Sequence, residues 1–241
     1  MKNEKILKYN QRQNFNLRRR VGCLTLVFWS LLALSGCQPS STTEQKNKSS
    51  SAQKNSAEHD LQTQFSQWKA KQDPKLLDDY YQYIAQNMKN PPSLMELTTT
   101  RNFMPDHCLP LRFGIPPRKY WKNMVGSLQL VEKLNHIDFY QHYTITAIYR
   151  NPALNACVSG ASRSKHIYNY AVDFHVLKPK ETDAAAREAL VQKMCSFWQK
   201  EGKNFKMGLG VYGNNRYHID TQGYRTWGKD YSSKTSPCLT H

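Results

Sequence analysis

Between residues 60 and 87 the apolar positions recur every three or four residues: Leu61, Phe65 and Trp68, then, beyond Pro74, Leu76, Leu77, Tyr80, Tyr81 and Ile84. That period is helical, and it predicts two amphipathic helices broken near the proline. Pro91, Pro92, Pro105, Pro110, Pro116 and Pro117 then predict a long irregular connection. A further helix is expected over about 119–135, with Met124, Leu128, Val131 and Leu134 on one face. The period then drops to two. Over 143–149, Ile145, Ala147 and Tyr149 alternate with Thr144, Thr146 and Ile148, and over 170–177, Val172, Phe174 and Val176 oppose Ala171, Asp173 and His175. A helix over 183–200 would bury Leu190, Val191, Met194, Phe197 and Trp198, and two more strands are expected near 207–212 and 216–220. The fold class is therefore α+β, a small antiparallel sheet with flanking helices.

The first forty residues carry an address. A basic stretch ending in Arg18, Arg19 and Arg20 precedes an apolar run from Val21 to Leu34, too short to span a bilayer comfortably. Leu34-Ser35-Gly36-Cys37 resembles the lipobox of bacterial lipoproteins. The resemblance implies lipidation of Cys37, cleavage before it, and attachment to a membrane through that anchor. Gln38 in the next position implies the periplasmic face of the outer membrane. Residues 38–59 are almost wholly small or polar and hold no aromatic, which predicts a solvated tether. The expected division is a leader over 1–36, lipidated Cys and linker over 37–59, a helical extension over 60–115 and the main domain over 116–241.

Loss of residues 1–36 would lower the formal charge from +16 to +10. A basic exported domain suits an anionic wall polymer or peptide carboxylates, although general solubility explains the charge equally well. Nucleic acid is excluded as a partner by the compartment. Apart from Cys23 in the leader and Cys37, the cysteines are Cys108, Cys157, Cys195 and Cys238. Four cysteines in an oxidising compartment predict two disulfides, with three connectivities open. No CxxC pair supports a Cys-rich zinc site.

Ser164-Lys165-His166 is followed by Ala171-Val172-Asp173, and His218 lies 45 residues beyond Asp173 on an expected strand. Two His and one Asp are a catalytic zinc set if the fold gathers them, because such a site needs three protein ligands and an open position. Residue types alone do not make that case, since His and Asp on strands are more often structural. The ordered motifs add to it. Ser164-x-His166, Ala171-x-Asp173 and Tyr217-His218-Ile219-Asp220 resemble the SxHxxGxAxD and HxD signatures of the zinc D-alanyl-D-alanine carboxypeptidase and endopeptidase family, which is related to the lysostaphin and hedgehog folds. Ile148-Tyr149-Arg150-Asn151-Pro152 with Asn155, the segment Met207-Gly208-Leu209-Gly210-Val211-Tyr212, and Arg225-Thr226-Trp227 extend the resemblance over about 116–228.

The resemblance implies a zinc peptidase acting on peptidoglycan stem peptides or cross-links, with His166, Asp173 and His218 as ligands of Zn2+. It also implies that Arg150, in the catalytic set, holds a substrate carboxylate, with Ser164, Tyr212 and Trp227 beside the substrate. Asp220 is expected to orient a ligand or to act as base. Two positions depart from the family pattern: Asn169 replaces a glycine, and Asn215 stands where many members carry an acid three residues before the last His. Asn tolerates positive φ and can keep the turn. An amide cannot accept a proton, so Asp220 or His175 would have to replace the acid at 215. The competing expectation is a catalytically impaired lipoprotein that keeps the fold and binds or scaffolds peptidoglycan.

Overall fold

The computed structural model describes residues 59–102, 104–136, 142–178 and 183–239. The expected leader, Cys37 and the expected linker up to residue 58 lie outside them. Among the described residues no helix is long and apolar enough to cross a membrane.

Helix α1 covers 59–69 and helix α2 Pro74–Ala85. The break follows from chemistry at Asp73-Pro74: the Asp73 carboxylate accepts from Lys75 N as an N-cap, and Pro74 opens the helix where its missing N–H is harmless. Leu61 and Phe65 of α1 are buried with Met95 and Phe113, and Trp68 packs against them. The proline-rich stretch is less irregular than its composition predicts. Ser93 and Glu96 form a reciprocal capping box that starts a short helix α3, Leu94–Thr98, and a 3-10 turn follows at Asp106–Leu111. Helix α4, Trp121–His136, then runs across the sheet.

Five strands make that sheet: β1 Tyr143–Ala147, β2 Ala171–Val176, β3 Gly208–Val211, β4 Arg216–Asp220 and β5 Arg225–Trp227. Their order is β1-β2-β4-β3-β5, antiparallel throughout except that β5 runs parallel to β3. Between β1 and β2 lies a short helix α5, Pro152–Cys157, capped by Asn151, and between β2 and β3 lies helix α6, Ala184–Glu201. Strand β1 is two residues shorter than its alternation predicts: its ladder with β2 is bulged between Ile145 and Ala147 and stops at Ala147, opposite Asp173. Ile148 and Tyr149 are buried as well as Ala147, so the alternation stops there.

One face of the sheet is the core. Val172, Phe174, Val176, Leu209, Val211, Tyr217 and Ile219 pack with Met124, Leu128 and Val131 of α4, Met194 and Trp198 of α6, and Tyr80 and Ile84 of α2. Each such side chain contributes on the order of 2 kcal/mol by leaving water. The alternate residues of the same strands face away from those helices. In register across β2, β4, β3 and β5 they form two rows: Asp173, His218, Gly210, Trp227, and Ala171, Asp220, Gly208, Arg225.

Of the three possible pairings, the structure has Cys108–Cys157 and Cys195–Cys238. The first ties the 3-10 turn at 106–111 to α5 and the second ties α6 to the C-terminal segment. Each closes a loop of more than 40 residues, and chain-entropy reasoning gives about 4 kcal/mol for a loop of that size.

Candidate metal centre and its cleft

Asp173 and His218 face each other because β2 and β4 pair antiparallel in that register. His166 reaches them from a 3-10 turn, Lys165–Tyr168, which feeds into β2. The turn ends on Asn169 at φ 58°, ψ 39°, the left-handed conformation that Asn adopts with little strain, and Asn169 Nδ2 donates to Tyr120 O. The expectation for that departure from glycine is met. His166 Nε2 is 3.2 Å, and His218 Nδ1 2.8 Å, from Asp173 Oδ1. The three groups offer ligand atoms within 4.8 Å of one another.

The outer ring nitrogens decide what the inner ones can do. His166 Nδ1 lies 2.7 Å from Ile148 O, and a carbonyl only accepts, so Nδ1 carries the proton and Nε2 presents a lone pair. His218 Nε2 lies 3.0 Å from Asp220 Oδ2, and Asp220 is held ionised by Arg225, whose Nη2 and Nη1 donate to it at 2.6 and 3.0 Å. Nε2 of His218 is then the donor and Nδ1 presents the lone pair. Two lone pairs and a carboxylate oxygen converge with their outer atoms satisfied, a donor set that fits a cation of the zinc class.

Without metal the electrostatics are uneven. Burial lowers the His166 pKa, against the pull of Asp173. Burial also opposes charge on His218, but hydrogen bonds to Asp173 and Asp220 outweigh it and lift His218 to about 9. Asp173 is resisted by burial too, yet His166 and His218 hold it well below the usual carboxylate range. For Asp220 burial again raises, while His218 and Arg225 bring the net value down to about 2.

His166, Asp173 and His218 lie on the floor of a cleft of about 1070 Å³. Arg150 lines it, with Nη2 at 4.0 Å from Asp173 Oδ2 and Nη1 donating to Asn155 Oδ1 at 3.4 Å. Its Nε is buried with no hydrogen-bond partner among the described residues. Ser164 lines the cleft at the start of the His166 turn. Trp227 and Tyr212 form another part of the wall, where Trp227 Nε1 donates to the Tyr212 hydroxyl at 3.0 Å and the Trp227 ring lies 5.1 Å from that of His218. Among the described lining residues Asp173 is the only carboxylate, against Arg150, Arg163, Lys165, Arg216 and Arg225.

One neighbour of the centre has no counterpart in the sequence expectations. Asn102 Nδ2 donates to Asp173 Oδ2 at 3.1 Å and so fixes the oxygen that faces away from the histidines. An isolated Asn in a proline-rich connection, 71 residues from its partner, gives no pattern to find.

Asp220, expected either to orient a ligand or to act as base, has surroundings that suit the first role. Asp220 is fully buried, both its oxygens are engaged by Arg225, Gln222 N and His218, and it does not line the cleft. It stands behind His218, in position to orient that ring. His175 does not line the cleft either. Asn215 is a turn residue: with Asn214 at φ 59° and Asn215 at φ 56°, the β3–β4 hairpin closes in consecutive left-handed conformations that Asn favours. Asn215 is buried and also lies outside the cleft lining.

Residues 107–205 match the family model described as Peptidase M15, a span that includes His166 and Asp173 and stops short of His218. No curated protein and no solved structure matches the chain.

Proposed function

The chain carries a Peptidase M15 domain, and from that premise we propose that it is a zinc-dependent peptidase that hydrolyses peptidoglycan stem peptides or their cross-links. The observation that carries this reading is the His166–Asp173–His218 donor set on the floor of a cleft whose other charged lining residues are cationic. Zinc held by these residues would supply Lewis acidity to a scissile carbonyl and to the attacking water. The protein supplies the rest. Arg150, with a buried unpartnered Nε, is suited to grip a substrate carboxylate through a two-point hydrogen bond. Ser164, Tyr212 and Trp227 line the path on which the peptide backbone would lie. Asn102, at the cleft wall, and Asp220, behind His218, hold Asp173 and His218 in their ligating orientations.

The same reading makes residues 1–36 a leader, Cys37 the lipidated residue of an outer-membrane anchor facing the periplasm, and 37–59 the tether to the wall. The two disulfides favour an oxidising compartment. A second reading has one specific observation behind it. No carboxylate other than Asp173 lines the cleft among the described residues, which suits a protein that binds wall peptides without cutting them.

Synthetic stem peptides ending in D-Ala-D-Ala, with a free or an amidated C-terminus, test the proposal. The full chain should release a fragment detectable by mass spectrometry, lose that activity with a zinc chelator and regain it with added zinc. Arg150→Met should raise KM for the free-acid peptide far more than for the amide. Tight binding of both peptides with no cleavage would favour the second reading.

A further inference from the structure

The two glycines of β3 stand where side chains would separate β4 from β5. Gly208 pairs with Asp220 on one side and Arg225 on the other, and Gly210 pairs with His218 and Trp227. A Cβ on Gly208 would lie 2.7 Å from Asp220 Oδ2 and 2.8 Å from Arg225 Nη1. One on Gly210 would lie 2.8 Å from Trp227 Nε1 and 3.0 Å from His218 Cβ. Real Cβ atoms do not approach polar atoms so closely, so any larger residue would push the flanking side chains apart. On this face β3 is a bare strand, and side chains two strands apart touch across it.

Two contacts use the gap. Arg225 grips both oxygens of Asp220, and Asp220 accepts from His218 Nε2. Trp227 lies against the His218 ring, and the Arg225 guanidinium sits 5.1 Å from the centre of the Trp227 ring. His218 is thus held from behind by its Nε2–H and from the side by an indole, both supplied or braced by β5. The three-residue strand β5 and its parallel pairing with β3 now have a purpose, since they bring Arg225 and Trp227 to the same side as the ligand row.

We propose that Arg225 is a positioning residue of the metal centre, acting across the bare strand at Gly208 through Asp220 to fix the Nε2–H tautomer and orientation of His218. The proposal rests on His166, Asp173 and His218 being the metal site. A carboxylate clamped by a bidentate guanidinium stays ionised and keeps one direction. It therefore leaves His218 only one nitrogen, Nδ1, to offer as ligand. Losses of such outer contacts typically weaken metal binding about 10- to 100-fold.

Zinc affinity of the full chain, measured by competition with a chromophoric chelator, tests this directly. Arg225→Met should weaken zinc binding about 10- to 100-fold, while the metal-free variant keeps both disulfides by mass and a cooperative thermal transition. Gly208→Ala should weaken it similarly by prising Asp220 from Arg225. Because Arg225→Met strands a buried carboxylate, the double variant Asp220→Asn/Arg225→Met guards against misfolding, and it should bind zinc no more weakly than Asp220→Asn alone. Coupling of this kind marks action through Asp220; a merely structural arginine would give additive losses. Wild-type affinity in Arg225→Met, or additive losses in the double variant, would overturn the relay and leave the metal centre standing. Wild-type chain that takes up no zinc would remove the metal centre and the relay with it.

Discussion

The two histidines of the site are held in opposite ways. His166 sits on a loop, and its outer nitrogen donates to a neutral backbone carbonyl, that of Ile148. His218 sits on a strand, and its outer nitrogen faces an ionised carboxylate clamped by an arginine. One arm depends on backbone shape, through the left-handed Asn169. The other depends on charge and on a gap left in a neighbouring strand. The contrast teaches that one candidate metal site can join two kinds of rigidity, each open to a different substitution.

The largest effect should come from removing either ligand. His166→Ala or His218→Ala should take the chain from about one zinc to almost none, by elemental analysis after purification in zinc-containing buffer, the two arms being equally necessary for a three-ligand site. Equal zinc content in wild type and either variant would show that the arms do not meet at a metal.

A difference between the arms should follow in the metal-free protein's response to pH. His218, raised to about 9, contributes stability that is complete below the ordinary imidazole value near 6.5 and is lost as pH rises through 9. His166, lowered by burial, works the other way: the unfolded chain takes up the proton first, so stability falls as pH drops below about 6.5. Asp220, lowered to about 2, contributes stability above the ordinary carboxylate value that disappears as pH falls towards 2. Thermal melts of chelated protein should therefore peak between these limbs, and His218→Ala should remove the alkaline limb and shrink the Asp220 limb that His218 helps to set, while leaving the His166 limb. Zinc should reverse the alkaline limb, since its ligands must be deprotonated and affinity then grows with pH.

How far the sequence announces each arm follows from the same contrast. Alternation along β2 and β4 alone puts Asp173 and His218 on the face away from the core, because a strand's period is rigid. The loop arm is legible only through a motif, since periodicity does not say where a 3-10 turn points. Strand β5 is too short, at three residues, to show a period, and α3 is hidden by the prolines on either side although Ser93-x-x-Glu96 marks its start. The grouping of Arg225 with Asp220 needs strand order as well as strand identity. Asn215 misleads for a related reason: in the motif it reads as a missing acid, whereas its backbone at φ 56° is what a tight hairpin asks for.

That difference makes a smaller, sharper prediction. Asn215→Glu should not restore a base to the cleft; it should destabilise the fold by about 2 kcal/mol, from a left-handed backbone without Asn and a carboxylate in a buried position. A thermal or denaturant midpoint measures the loss, and a gain in peptide hydrolysis would mean that residue 215 reaches the cleft after all. Smallest of all, Asn169→Ala should cost about 1–2 kcal/mol in the loop arm through its positive φ, whereas Asn169→Gly, free of that strain, should lose less. Equal losses would mean that the hydrogen bond to Tyr120 O, not the backbone conformation, matters at this position.

Digestion of purified sacculi by the full chain, followed by mass analysis of the released muropeptides, tests the central claim most directly. The account predicts fragments cut at a stem peptide or cross-link with wild type and zinc, and none with chelator or with His218→Ala. Unchanged muropeptides under every condition, from a protein shown to carry zinc and to bind the sacculi, would contradict it.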